Sequence, residues 1–269
     1  MFQYVFMRFA ARRLGTRFYC PDWQGDMIFD LDDRRERTAD PPRCSLRYIE
    51  PTWHYGFNAA ALRIADDTDV SGYFQSTAYI ADEKEVRRWF TFAPSVTSVR
   101  RKYAHVDFER AASLHVRLGD MARDPEYCVP RRDYYKRVLS RVRRNQLILV
   151  FSDEMAKARN LLDGLAENFE FIEGNRTAED LYLMSCCRDH VTSVSSFGWW
   201  GAWLARHPDK VVISPSLRMR IGTPRAVQNS RDLQCPGWTY LPAMRPILDD
   251  YRFRILYEPW RLIIRIGQR

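Results

Sequence analysis

The feature that most restricts what this chain can fold into is a regular alternation of short apolar runs and amphipathic stretches from Ala112 to Ser214. Ala112–Leu118 reads as a strand, and Arg132–Arg144 spaces Tyr135, Val138, Leu139 and Val142 along one helical face. Leu147–Phe151 is apolar throughout and too short for a helix, as expected of a strand covered on both faces. Met155–Leu165 reads as a helix with Gly164 near its end, and Phe169–Ile172 as a strand. Thr177–Cys186 reads as a helix opened by Thr177-Ala178-Glu179-Asp180, a capping-box variant with Asp in the third place. His190–Val194, Phe197–Arg206 and Lys210–Ser214 continue as strand, helix and strand. A helix between two strands carries the chain back to the end where it started, so the strands pair in parallel with helices on both faces. In such sheets ligands bind beyond the carboxyl ends of the strands.

The first hundred residues are less regular. Phe2–Leu14 reads as a helix ending at Gly15, Asp82–Phe92 as another, and Asp26–Asp40 as a charged loop. A turn near Pro94-Ser95 marks a boundary. The division read from the sequence is an N-terminal unit over 1–95, the parallel-sheet unit over 96–242 and a tail over 243–269. Within that tail, Tyr251–Arg269 alternates apolar residues with arginines. Such a segment suits packing on the body or lying on an acidic membrane surface, and the scarcity of exposed apolar patches favours packing.

Composition removes several function classes. With 269 residues, 46% hydrophobic and 28% charged, the chain is globular rather than disordered. No apolar run is long enough to span a bilayer, and Arg8, Arg12 and Arg13 break up the apolar residues of the N-terminus, which is not a signal-peptide layout. A net charge of +8 suits a phosphorylated ligand or a polyanion. The basic residues form no stripe and no nucleic-acid motif, so nucleic acid is not an expected partner. None of the six cysteines forms a CxxC pair, which leaves a zinc site without support, and Cys186-Cys187 reads as small core residues. Asp30-Leu31-Asp32 and Asp67-Thr68-Asp69 fit the Asp-x-Asp pattern that holds a divalent cation in metal-dependent sugar transferases. Neither follows a convincing buried strand, so no metal site is predicted.

Three motifs fall at strand ends. His115-Val116-Arg117-Leu118-Gly119-Asp120 closes the first strand of the alternating region, Phe151-Ser152-Asp153-Glu154 the second and Ser195-Ser196-Phe197 the fourth. Arg117 offers a two-pronged contact to phosphate oxygens. Ser195 and Ser196 add hydroxyls and the free N–H groups of a helix start for the same anion. Asp153 suits the donor edge of a base, and His115 a base or phosphate. Each residue also has a local reading: Arg117–Asp120 as a structural ion pair, Asp153 as a helix cap, and Ser195 or Ser196 as a cap for a helix burying Trp199, Trp200 and Trp203. Convergence of all three motifs describes a nucleotide-diphosphate pocket that works without a metal.

On these motifs the chain resembles the α-1,2-fucosyltransferases, which use GDP-fucose. His115–Asp120 matches that family's His-x-Arg-Arg-Gly-Asp, Phe151–Glu154 its Phe-Ser-Asp-Asp type, and Ser195–Ala202 its Ser-Ser-Phe-Ser-Trp-Trp-Gly-Ala. Met1–Tyr4, Gly72–Ser76, Asp133–Tyr135 and Asp180–Ser185 match further motifs in the family's order. The resemblance implies a GT-B-like α/β fold of two Rossmann-like domains with the donor-binding parallel sheet in the C-terminal half. It implies inverting, metal-independent transfer of L-fucose from GDP-β-L-fucose to a sugar hydroxyl, position 2 of a galactoside in a glycan acceptor. By position, Arg117 would bind the diphosphate and stabilise departing GDP. His115 and Asp153 would hold the nucleotide, and Ser195, Ser196 and Phe197 would line phosphate and fucose. Asp120 and Glu126 are the candidates for the base that takes the acceptor proton. Leu118 stands where the family has a second arginine, and Gly198 where it has a serine. The family's glycine-rich stretch and its preceding strand belong before Met1, so the N-terminal domain is expected to be incomplete. A catalytically impaired nucleotide- or glycan-binding relative is the alternative. The resemblance leaves the compartment open, since bacterial members are cytoplasmic and animal members are anchored in the Golgi.

Overall fold

The computed structural model describes residues 1–20, 23–33, 43–51, 56–124, 127–143, 145–216 and 230–243. Helix α1 (Phe2–Leu14) opens the chain and stops at Gly15, whose φ of 64° is the left-handed geometry that closes a helix end. A short helix α2 (Gly25–Ile28) and a bridge from Phe29 to Phe92 follow, so Asp26–Phe29 is ordered structure where the sequence predicted loop. Strands β1 (Leu46–Ile49) and β2 (Thr68–Ser71) pair in parallel, Leu46 opposite Thr68, as a two-stranded sheet that periodicity alone did not announce. Helix α3 (Glu83–Trp89) begins where the Asp82 carboxylate accepts a hydrogen bond from the Glu85 N–H. A short helix α4 (Pro94–Thr97) leads into the alternating region.

That region follows the predicted order. Strand β3 (Ala112–Val116) is followed by the single turn α5 (Asp120–Arg123), helix α6 (Arg132–Leu139), strand β4 (Ile148–Ser152), helix α7 (Met155–Leu162), strand β5 (Phe169–Phe171) and helix α8 (Thr177–Cys186). Strand β6 (Asp189–Val191), helix α9 (Ser196–Leu204), strand β7 (Val212–Pro215) and strand β8 (Thr239–Leu241) complete it. Helices α6, α7 and α9 end earlier than their apolar spacing suggested; α7 stops at Leu162 because Asp163 is extended and Gly164 left-handed. At the start of α8 the carboxylate that accepts the Arg176 N–H belongs to Glu179, which corrects the capping-box variant built on Thr177 and Asp180. Asp180 instead accepts from Asn175, which also donates to the Tyr103 hydroxyl.

All six strands of the main sheet are parallel, in the order β5-β4-β3-β6-β7-β8. This is the expected α/β architecture of the C-terminal half. The chain builds outward from β3 to β5, returns to the far side of β3 with β6, and continues to β8. Helices α6 and α7 bury Tyr134, Tyr135, Val138, Ala158 and Leu162 against one face, and α8 and α9 cover the other. Strands β3 and β7 are buried at every residue, as expected of strands covered on both faces, and they bury Ser113, His115 and Ser214 along with their apolar residues.

The α9 face also receives the N-terminal helices. Phe2 lies 5.0 Å from Trp199 and 4.7 Å from Trp200 between ring centroids, Phe90 contacts Trp200, and the Arg87 guanidinium sits 4.1 Å above the Trp203 ring. All three tryptophans are at most 5% exposed, and Trp199 donates its Nε1–H to the Leu233 carbonyl at 2.8 Å. The tryptophan-rich stretch is therefore core, stitching α1 and α3 to the sheet. Burying three indoles this way contributes several kcal/mol of apolar transfer. Cys187 is buried in the same cluster, as its reading as a small core residue requires.

Candidate functional site

The turning point of the sheet lies between β3 and β6, where successive strands begin to be laid on opposite sides. Loops leaving two such strands diverge above and below the sheet and open a crevice at their carboxyl ends. The residues leaving β3 are Arg117–Asp120 and those leaving β6 are Thr192–Ser196. Strand β4, carrying Asp153 just past its end, is the other neighbour of β3. Register places Val116 opposite Ser152 and Leu114 opposite Val191. The three motifs at predicted strand ends are thus brought onto three adjacent strands.

Asp153 organises the loop after β3. Its carboxylate accepts the Leu118 N–H and the Gly119 N–H, both at 2.9 Å, and lies 3.2 Å from Arg117 Nη1. A carboxylate that receives two backbone N–H groups and a guanidinium is held in one orientation. Gly119 permits this: a Cβ there would lie 2.4 Å from Asp153 Oδ2. The reading of Asp153 as a side-chain cap for α7 is not what the structure shows, since α7 has Glu154 at its cap position and no side-chain cap bond.

Arg117 is partly buried and paired with two carboxylates. Besides Asp153, its Nη2 donates to Asp120 Oδ1 at 2.5 Å, the structural ion pair the sequence admitted. Arg117 Nε is buried and has no hydrogen-bond partner among the described residues, which leaves one donor of the guanidinium unused. Asp120 is exposed at the start of α5, and its carboxyl is held below the usual range by the Arg117 hydrogen bond and by the Met121 N–H. Leu118 directs its side chain into the apolar cluster of the α6 and α7 face while its backbone serves Asp153. Glu126 lies outside the described residues.

His115 is buried on β3, with Nδ1 2.8 Å from Ser193 Oγ and its ring 5.6 Å from that of Phe197. Burial pushes its pKa down to about 4, the Asp153 charge opposing and the Arg117 charge adding to the shift, so the imidazole is neutral at pH 7. Gly198 leaves room for it: a Cβ at 198 would come within 2.7 Å of His115 Nδ1. The glycine that departs from the motif is therefore matched to the histidine beside it. In this structure His115 supports the crevice from beneath.

Ser195 caps α9, its hydroxyl accepting the Phe197 N–H at 3.2 Å. Ser196 and Phe197 are half-buried in the first turn. Ser193 escaped the sequence reading; its position two residues before Ser195 on an extended segment, which repeats a side-chain direction, was the available signal. A small cavity of about 20 Å³ adjoins this end of the sheet, lined among others by Ser193, Ser195, Ser214 and Tyr240.

A roomier cavity of about 680 Å³ lies elsewhere, among α1, residues 16–20 and β2. Among the described residues its walls carry Asp66, Asp67 and Asp69 with Arg17 as the basic side chain, a charge balance that disfavours a diphosphate. The chemistry and the topology both favour the crevice between β3 and β6. No cluster of three metal-ligating side chains occurs among the described residues. Of the Asp-x-Asp pairs, Asp32 is salt-bridged to Arg8 at 2.7 Å and Asp69 lies 3.7 Å from Arg47. No helix among the described residues is long and apolar enough to cross a membrane. The tail from residue 244, with the predicted packing of Tyr251–Arg269, lies outside the described residues.

Comparison with known proteins gives a consistent result. The model of glycosyl transferase family 11 matches residues 72–241, more than half of the chain and all three motifs. An α-1,2-colitosyltransferase of Escherichia coli is 28% identical over 186 residues, covering 64% of this chain and 62% of that protein. The O-antigen biosynthesis glycosyltransferase WbnK of Escherichia coli is 35% identical over 185 residues, covering 62% of this chain and 61% of its own length. The chain thus spans about three fifths of the curated relatives it matches. Among solved structures, apo POFUT1 aligns with 79% of this chain and 92% of its own at a TM-score of 0.48 and 11% identity. The α-1,6-fucosyltransferase NodZ soaked with GDP-fucose aligns with 76% and 87% at 0.45 and 14%.

Proposed function

Because the chain belongs to glycosyl transferase family 11, we propose that it transfers L-fucose from GDP-β-L-fucose to position 2 of a galactoside, with inversion, forming an α-1,2 linkage. The observation that carries this reading is the placement of Arg117, Asp153 and the Ser195 helix start on three adjacent strands at the turning point of the sheet. In the proposed reaction, the bond from the anomeric carbon to the diphosphate oxygen lengthens as the sugar becomes cation-like. Negative charge accumulates on the departing GDP. Arg117 and the free N–H groups of the first α9 turn stabilise that charge more in the transition state than in the ground state, which is the condition for acceleration. The proposal assigns this neutralisation to protein groups and no metal. Asp153 holds the loop that aims Arg117, and the neutral His115 adds no competing charge beneath it. Asp120, tied to Arg117 and kept acidic by it, is a weak base as placed.

The curated relative named for α-1,2-colitosyl transfer supports the linkage and leaves the donor sugar less constrained than the nucleotide. A test uses purified full chain, GDP-fucose and galactosides, with release of free GDP measured with and without EDTA. Acceptor-dependent, EDTA-resistant GDP release is the expected result. GDP binding without acceptor-dependent release would favour the impaired binding relative, and a strict manganese requirement would overturn the metal-free assignment.

A further inference from the structure

The triad of Arg117, Asp120 and Asp153 holds two carboxylates against one cation. Among the described residues Arg117 is the cation within ion-pair distance of either, so the cluster carries a net charge of about −1 when all three are ionised. A diphosphate arriving at this crevice meets a guanidinium that is already neutralised. The two carboxylates are not held alike. Asp153 is 23% exposed and pinned by two backbone N–H groups as well as by Arg117. Asp120 is 74% exposed, and beyond Arg117 its carboxylate accepts the N–H of its neighbour Met121. An exposed ion pair of this kind is worth little in water, whereas releasing Asp153 would leave two N–H groups and the loop conformation without a partner.

Resting on the nucleotide-sugar reading above, we propose that Asp120 is an electrostatic latch on Arg117, which swings into solvent and yields its place to the diphosphate when the donor binds. The unused Nε donor of Arg117 and the Nη2 vacated by Asp120 then form the two-pronged face for phosphate oxygens. Asp120 sets donor affinity by competing for the cation, and as product GDP leaves, its return helps release the anion. Removing the carboxylate therefore strengthens anion binding, opposite to the loss expected if Asp120 were a nucleotide ligand.

The test is calorimetry of the full chain with GDP and, separately, with inorganic pyrophosphate, on the unmodified protein, Asp120→Asn, Arg117→Ala and the double variant. The latch predicts that Asp120→Asn binds both probes about three- to fivefold tighter, the upper part of the range for an exposed charge pair in screened surroundings. It predicts that this gain shrinks below about twofold in the Arg117→Ala background, since the effect runs through the guanidinium. Equal affinity of Asp120→Asn and unmodified protein, weaker binding by Asp120→Asn, or the same gain without Arg117 would each overturn the latch while leaving the nucleotide reading standing. Tighter pyrophosphate binding in Asp120→Asn with no GDP binding by any form keeps the latch and removes the nucleotide reading. Folded proteins that bind neither probe remove both.

Discussion

Replacing Arg117 by Ala gives the sharpest test of the site. The guanidinium is 29% exposed, between the deep interior and bulk water. A unit charge about 4 Å away interacts with it by roughly 4 kcal/mol at an effective dielectric of 20. Against this stands the Asp120 contact that the anion displaces, an exposed pair that water screens and that contributes little. The difference leaves about 3 kcal/mol of diphosphate binding, within the 2–4 kcal/mol typical of losing a charge-assisted anion contact in a closed site. At about 1.4 kcal/mol per factor of ten, GDP affinity falls by about 100-fold. Titration calorimetry with GDP in the presence of EDTA measures it, and a thermal melt verifies that the variant is folded. Asp153 keeps its two backbone N–H donors when the guanidinium is removed, so the melt should shift little. A folded Arg117→Ala protein that binds GDP within twofold of the original would refute the assignment of the diphosphate to this crevice.

Other perturbations follow from single contacts. Gly119→Ala places a Cβ 2.4 Å from Asp153 Oδ2; expelling that carboxylate forfeits two backbone hydrogen bonds and should lower stability by about 1–3 kcal/mol in urea titration and weaken GDP binding with it. The folded state holds His115 neutral with a pKa of about 4, against about 6.5 unfolded, so the unfolded chain binds more protons between these values and stability is lost as pH falls through that window. Urea midpoints should show a loss of about 2 kcal/mol from this residue between pH 7 and pH 5. The buried His190, also shifted down, pulls the same way, and His115→Asn should flatten the slope in part. Trp199→Phe keeps the ring contacts with Phe2 but removes the donor to the Leu233 carbonyl, and a loss of about 1–3 kcal/mol in chemical denaturation is expected. An unchanged midpoint would show that this bond contributes nothing net.

The alternation from Ala112 to Ser214 was legible because helix and strand periods are local, set by side-chain direction over a few residues. Helix α1 and its stop at Gly15 were legible for the same reason, since only glycine takes the left-handed cap without strain. The site motifs were visible as unusual residues at strand ends. Strands β1, β2 and β8 were not legible: four or three residues long, they carry too little periodicity and exist because a partner strand is present. The sequence likewise allowed Asp26–Phe29 to be loop, and the Phe29 bridge to Phe92 decided otherwise.

By itself, then, the sequence determined the class of fold, the crossings that make the sheet parallel, and the chemistry available at each strand end. Only the tertiary structure decided the strand order that puts Arg117 and Ser195 on either side of the turning point. It also decided that all three tryptophans serve the core, that Asp153 holds a loop, and that Asp120 occupies the cation. These are choices of partner between residues far apart in the chain, such as His115 with Ser193 and Phe2 with Trp199. Local periodicity says which way a side chain points, but which group it meets is settled by how helices and strands pack to exclude water and satisfy one another's polar groups.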